Sequence, residues 1–243
     1  MRILITNDDG IQSAVLPDFI RWAETLGEVT VVAPKFEQSG KSQAIDFRRH
    51  SEVKKVDLGV DCDVYYMDST PADCVRFAVL GLNKQYDIVF SGINRGYNLG
   101  EDISYSGTVG AIFEAERLGM KGIAFSTDVT TFDYALKHLE YVHSFIIDNE
   151  LLSYSNLINV NFPTMNAKGI CITKQGTMFY SDEFVHLGDG MYMQRGEPIQ
   201  YVGDDTTVDI HAVANGYISV TPVTSEKTNF TAYEAIKNIK KGV

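Results

Sequence analysis

Positive charge is scarce in this sequence: 21 lysines and arginines stand against 32 aspartates and glutamates, a formal net charge of −11 at pH 7. Proteins that grip nucleic-acid polymers neutralise phosphates with clustered cations, so that class is excluded. Any anionic ligand needs locally placed cations or a bound metal. Cysteine is sparse too. Cys62, Cys74 and Cys171 are scattered and odd in number, giving neither metal-ligand spacing nor a disulfide framework, so a reducing cytoplasm is the expected compartment. No apolar run nears the roughly 20 residues of a membrane span, and the five-residue hydrophobic start leads straight into acid, unlike a signal peptide. Several motifs are missing as well. There is no GxxxxGK[ST] loop and no GxGxxG after the first strand, which removes the main support for ATPase and dinucleotide readings. Ser13 and Ser39 lack a GxSxG setting. His50, His138, His143, His186 and His211 show no HxH or HxxxH spacing.

What is present is an alternation of short β-branched runs and longer amphipathic stretches. Hydrophobic residues make up 44% of the chain and charged residues 22%, enough to build a sizeable core. Strands are predicted at Ile3–Thr6, Val29–Ala33, Ile88–Ser91, Ile123–Ser126 and Leu157–Phe162, near-continuous apolar runs that suit burial on both faces of a parallel sheet. Helices are predicted at 13–26, 71–82, 107–119 and 131–148, the second with Thr70 as N-cap and Pro71 at its first position. This order argues for a doubly wound α/β sheet with right-handed crossovers. Phe162-Pro163 is the expected boundary between a core (1–163) and a β-rich extension (164–243), together one functional unit. In the extension Gly188-Asp189-Gly190 reads as a hairpin turn, 217–223 as a strand and AYEAIKNIKK as a terminal helix.

Ligands of doubly wound sheets bind beyond the carboxyl ends of the strands. The first strand delivers Asn7-Asp8-Asp9-Gly10 to that rim, the second a loop with Gln38, Ser39, Gly40 and Lys41, and the SGINRGYNLG segment Asn94, Arg95 and Asn98. Two carboxylates, a hydroxyl and an amide carbonyl are hard oxygen ligands suited to Mg²⁺, Mn²⁺ or Ca²⁺. Asp8 and Asp9 suit equally the role of caps for the first helix. Ser106-Gly107-Thr108, at a helix start, is either an anion site or a plain N-cap.

The blocks ITNDDG (5–10), VVAPKFEQSG (31–40), STPADCV (69–75), SGINRGYNLG (91–100), YSGTVGA (105–111), NVNFP (159–163) and ANGYISVTP (214–222) resemble, in this order, those of the SurE family, the survival-protein-E nucleotidases. The resemblance implies a Rossmann-like α/β core and a phosphatase acting on nucleoside 5′- or 3′-monophosphates, with some members trimming polyphosphate. It implies one divalent metal ion, Mg²⁺ or Mn²⁺, on Asp8, Asp9, Ser39 and Asn94. Asn98, Ser106, Gly107 and Thr108 match the family's phosphate-side loops, with Asn7 beside the metal acids and counted with the phosphate-binding residues. The expected mechanism is metal-assisted hydrolysis in which the ion lowers the pKa of its water; the alternative that a two-acid site permits is Asp8 or Asp9 as general base or as nucleophile. The resemblance implies also a homodimer or homotetramer that exchanges C-terminal segments. Two departures bear on substrate choice: KSQAIDF (41–47) stands where the family runs ASNSLT or similar, and Thr207 where an acid is common. The KSQAIDF departure motivates an alternative, a catalytically weakened relative that binds nucleotide for regulation. A receiver-like module, with Asp68 in YYMDSTP as phosphate acceptor, is a second alternative.

Overall fold

The computed structural model describes residues 1–199 and 203–239. The strands are β1 (Arg2–Thr6), β2 (Glu28–Pro34), β3 (Val53–Val56), β4 (Asp63–Met67), β5 (Ile88–Arg95), β6 (Lys121–Thr127), β7 (Leu157–Asn161), β8 (Ile170–Ile172), β9 (Tyr180–Gly188), β10 (Met191–Pro198) and β11 (Ile218–Val223). The helices are α1 (Leu16–Glu24), α2 (Pro71–Arg76), α3 (Gly107–Arg117), α4 (Asp133–Asp148), α5 (Leu151–Tyr154), α6 (Asp209–Ala214) and α7 (Phe230–Ile236).

Nine of these strands form one sheet in the order β3-β4-β2-β1-β5-β6-β7-β11-β8. From β4 to β7 every neighbouring pair is parallel. Leaving aside the edge strands, the order is that of a Rossmann-like doubly wound sheet, which reverses direction between β1 and β5. Side chains alternate across β1. Ile3 and Ile5 join the core with α1 and α4, where Phe19, Trp22, Phe90 and Phe125 stack or meet edge to face. Leu4 faces the other way, with Cys74, Val75, Ala111 and Ala115 of α2 and α3.

All five predicted core strands are present. The helices are shorter than predicted. Residues 13–15 precede α1, and α2 widens after Arg76 into a π-helical turn over Phe77–Gly81. The Thr70 cap is made, its side chain accepting from Asp73 N–H at 3.1 Å. Sequence periodicity missed β3, because this edge strand is half-exposed and carries no apolar run. It also missed the six-residue α6. The extension after Phe162 is not confined to its own layer: β11 pairs antiparallel with β7, and β8 pairs parallel with β11. The β9–β10 hairpin turns at Asp189 and Gly190, both at positive φ (50° and 75°), as a type I′ turn needs. The hairpin leaves Phe184, Met191 and Tyr192 exposed, and α7 has no buried residue. The final residues of the predicted terminal helix, 240 and 241, lie outside the described residues.

Candidate functional site

The reversal of strand order between β1 and β5 opens a crevice at their carboxyl ends, and the predicted loops meet there. The Asn7–Gly10 turn is built locally. Asn7 is fully buried, and its side chain closes a ring on Gly10, donating from Nδ2 to the carbonyl and accepting from the N–H, each at 3.0 Å. Gly10 sits at φ 87°, and a Cβ there would lie 3.0 Å from the Phe36 carbonyl carbon, so glycine permits the approach of the second loop. Gln38 N–H then donates to Asp8 C=O at 2.7 Å, stitching the two loops together.

Asp8 is 4% exposed. Its carboxylate lies at the start of α3, accepting from Thr108 N–H at 3.1 Å and from Thr108 Oγ1–H at 2.5 Å. The acid therefore caps a helix, but α3, a hundred residues away, and not α1. Gly107 makes this contact sterically open: a Cβ there would meet Asp8 Cβ at 2.9 Å and Oδ2 at 3.0 Å. Asp9 is more open and accepts from Arg95 N–H at 3.1 Å. Burial, followed by the Asp8 charge, pushes the Asp9 carboxyl up to about 6. Burial also raises that of Asp8, against the pull of the Thr108 hydrogen bonds.

Asn94 reaches the rim across a register shift in β5, which lies between Ser91 and Asn94 beside the cis Gly92–Ile93 peptide. Its Nδ2 donates to Gly96 C=O at 2.8 Å, leaving Oδ1 as the acceptor. Ser39 is exposed and donates to Glu37 at 2.7 Å. Ser106 is the N-cap of α3, accepting from Val109 N–H at 3.1 Å. Asn98 is buried and donates from Nδ2 to Ser126 Oγ at 2.7 Å. Asp8, Ser39, Asn94, Asn98 and Ser106 line one cleft of about 500 Å³. Asn7 lies beneath it, and Thr108 is committed to Asp8 rather than turned to a ligand.

Three acids line this cleft, Asp8, Asp102 and Asp182, and among the described residues one cation, Arg95, stands against them. Among the described residues no group of three or more His, Cys, Asp and Glu side chains is placed to hold a metal. A cation here would depend on the hydroxyl and amide oxygens of Ser39 and Asn94 beside the two carboxylates. That hard-oxygen set fits Mg²⁺ or Mn²⁺. Sequence reading passed over Glu37, whose charge adds to the elevation of both acids. It also passed over the cleft wall of Tyr97, Tyr180, Asp182 and Gln194, for which no local signal exists. A wider cleft of about 670 Å³ lies at the opposite ends of β2 and β4, where Lys55 and Lys84 are both paired with Asp63.

Asp68 follows β4, which β2 separates from β1, and is ion-paired with Arg49. A receiver-like arrangement has no support in that placement. The KSQAIDF segment crosses the start of α3, where Ser42 N–H bonds Tyr105 C=O at 2.9 Å and Ser42 Oγ bonds Ser104 C=O at 2.6 Å. Thr207 is turned onto Asp205 and is not among the residues lining the cleft.

Comparison with known proteins agrees with the fold. The family model described as survival protein SurE matches residues 3–182. The chain is 37% identical to the 5′-nucleotidase SurE of Pseudothermotoga lettingae, over 100% of this chain and 96% of that one. It is 36% identical to the 5′-nucleotidase SurE of Natranaerobius thermophilus, over 98% of each. The crystal structure of the SurE protein from Aquifex aeolicus superposes with a TM-score of 0.83 at 33% identity, covering 99% of this chain and 100% of that chain. A doubly wound sheet with its acidic turn at the switch point, matched over nearly the full length by these relatives, places the chain in the survival protein SurE family.

Proposed function

We propose that this protein is a 5′-nucleotidase, hydrolysing nucleoside 5′-monophosphates to nucleoside and phosphate with the help of one divalent metal ion. The observation that carries the reading is the meeting of Asp8 with the start of α3: a buried carboxylate, an adjacent carboxylate held near 6, and free helix-start donors share one rim. A phosphate dianion entering a cleft with three acids and one arginine needs added positive charge. Asp8, Asp9, Ser39 and Asn94 would hold that charge as Mg²⁺ or Mn²⁺, and Ser39 would exchange its contact with Glu37 for it. When bound, such an ion neutralises phosphoryl charge and lowers the pKa of a water molecule.

The chain's own groups do the rest. Thr108 fixes the orientation of Asp8 through two hydrogen bonds. Gly107 N–H makes no hydrogen bond among the described residues, and with the Ser106 hydroxyl it offers donors to phosphate oxygens at the positive end of an eleven-residue helix. Asn98 supplies the opposite side, and Asn7 holds the turn that presents both acids. Asp9, the more open carboxylate of the pair, is the general base of this reading, taking the proton of the attacking water. Hydrolysis of 3′-monophosphates and short polyphosphate belongs to the same reading, since only the phosphoryl end is recognised by these groups.

The exposed Phe184, Met191 and Tyr192 of the hairpin and Phe230, Tyr233 and Ile236 of α7 support a homodimer or homotetramer with exchanged C-terminal segments. No helix among the described residues is long and apolar enough to cross a membrane, and the three free cysteines suit the cytoplasm. The test is phosphate release from 5′-AMP, 3′-AMP and short polyphosphate with Mn²⁺, with Mg²⁺ and with EDTA. Release from 5′-AMP that EDTA and Asp8→Asn both abolish is expected. A folded protein that binds AMP without releasing phosphate would instead be a regulatory nucleotide-binding relative.

A further inference from the structure

The loop between Asn94 and Ser106 carries groups at both ends of the cleft, yet its middle crosses the carboxyl ends of β6 and β7 outside any strand. At that crossing the backbone of Asn98 is held by side chains. Asn161 is fully buried and meets Asn98 with both ends of its amide, accepting from the N–H at 2.9 Å and donating to the C=O at 2.9 Å. Asn159, 1% exposed, donates to the same carbonyl at 2.8 Å. The side chain of Asn98 is tied separately to Ser126 at the end of β6.

Two asparagines inside a buried strand are anomalous by composition. Positions two apart share one face of β7, and interior strands of parallel sheets normally carry β-branched residues there. Burying an amide is unfavourable unless its groups are bonded. Asn159 accepts that disadvantage openly: its Oδ1 has no hydrogen-bond partner among the described residues, so the donor end is what the position supplies. Asn161 reproduces the paired N–H and C=O of a neighbouring strand, where the loop lies beyond the reach of the β7 backbone.

We infer that Asn159 and Asn161 are positioning residues, a side-chain clamp that sets the backbone of Asn98 and through it the phosphate-facing part of the loop. The metal-side groups stand apart from this clamp. Asn94 is held by Gly96, and Asp8 by Thr108. Loss of the clamp therefore misplaces the phosphate side and spares the cation side. A displacement of about 1 Å at a reacting group costs on the order of a hundredfold in rate. The inference rests on the nucleotidase reading only for the ligand's identity.

The test compares Asn161→Ala, Asn161→Asp, Asn159→Ala and Ser126→Ala with the wild type in three measurements. These are Mn²⁺ affinity by calorimetry, inorganic phosphate affinity in saturating Mn²⁺, and kcat and KM for 5′-AMP. Asn161→Ala is expected to lower kcat about 10- to 100-fold and weaken phosphate about tenfold, with KM for 5′-AMP rising about as far as phosphate weakens and Mn²⁺ affinity within about twofold. Asn161→Asp keeps the size and the acceptor but sets a carboxylate oxygen against the Asn98 carbonyl, and is expected to be at least as impaired. Asn159→Ala and Ser126→Ala should show the same pattern more weakly, and they decide the matter if the position 161 variants do not fold. Phosphate affinity and kcat within twofold of wild type in folded variants would overturn the clamp. So would Mn²⁺ affinity falling in step with kcat, the mark of general support for the whole site. Wild-type protein that binds phosphate but turns over no nucleotide would refute the nucleotidase reading alone, leaving the phosphate isotherms to decide the clamp. Wild-type protein that binds no phosphate would overturn both.

Discussion

Replacing Asp9 by asparagine should make the metal-free protein more stable while removing its response to metal. The ordinary aspartate value of 3.8 is pushed up to about 6, by burial first and by the Asp8 charge second. A carboxyl whose folded value lies above its unfolded value favours folding only while it is protonated. Stability is therefore lost as pH rises from about 4 through about 6, and the whole cost is present at pH 7.5. At about 1.4 kcal/mol per tenfold, the gap corresponds to about 3 kcal/mol. Because Asp9 keeps some contact with solvent, screening reduces the expected gain to about 1–2 kcal/mol. Asparagine retains the acceptor for Arg95 N–H and removes the charge. For a chain of this size such a gain raises Tm by about 3–6 °C. The assay is thermal unfolding followed by circular dichroism in EDTA at pH 7.5 and pH 4.5, then with Mn²⁺ at pH 7.5. The Asp9→Asn variant should melt higher than the wild type at pH 7.5 in EDTA, and the advantage should shrink toward pH 4.5. Mn²⁺ should raise Tm of the wild type only. A lower Tm for Asp9→Asn at pH 7.5, or a difference independent of pH, would refute the account of two like charges awaiting a cation.

Other perturbations separate function from folding. Gly107→Ala sets a Cβ 2.9 Å from Asp8 Cβ and 3.2 Å from Gln38 C=O, so the acid must shift. Phosphate release should fall about a hundredfold, checked by steady-state kinetics, while the far-ultraviolet spectrum stays that of the wild type. The side chain of Glu114 is 1% exposed and bonded to Arg76 at 2.8 Å and to Gln43 at 2.9 Å. Arg76→Met leaves that carboxylate without its cation and should cost about 3 kcal/mol in urea unfolding, with Glu114→Gln in the same chain restoring much of the loss.

Much of this protein is decided by local sequence. The apolar runs at Ile3–Thr6, Val29–Ala33 and Ile88–Ser91 can be buried only as interior strands, and Thr70 and Ser106 cap helices through contacts three residues away. The acidic turn at Asp8-Asp9 follows directly from the end of β1, so its place at the strands' carboxyl rim is legible in the order of residues alone. Half-exposed β3 escaped notice because an edge strand needs no apolar pattern. The tertiary structure alone settled the partners. Thr108 binds Asp8 across a hundred residues, Asn161 binds Asn98 across sixty-three, and β11 returns from the far end of the chain to pair with β7. A carboxylate or an amide offers the same atoms to any donor or acceptor. Which one it meets is set by the strand order and the crossovers, quantities that belong to the whole chain and to no segment of it.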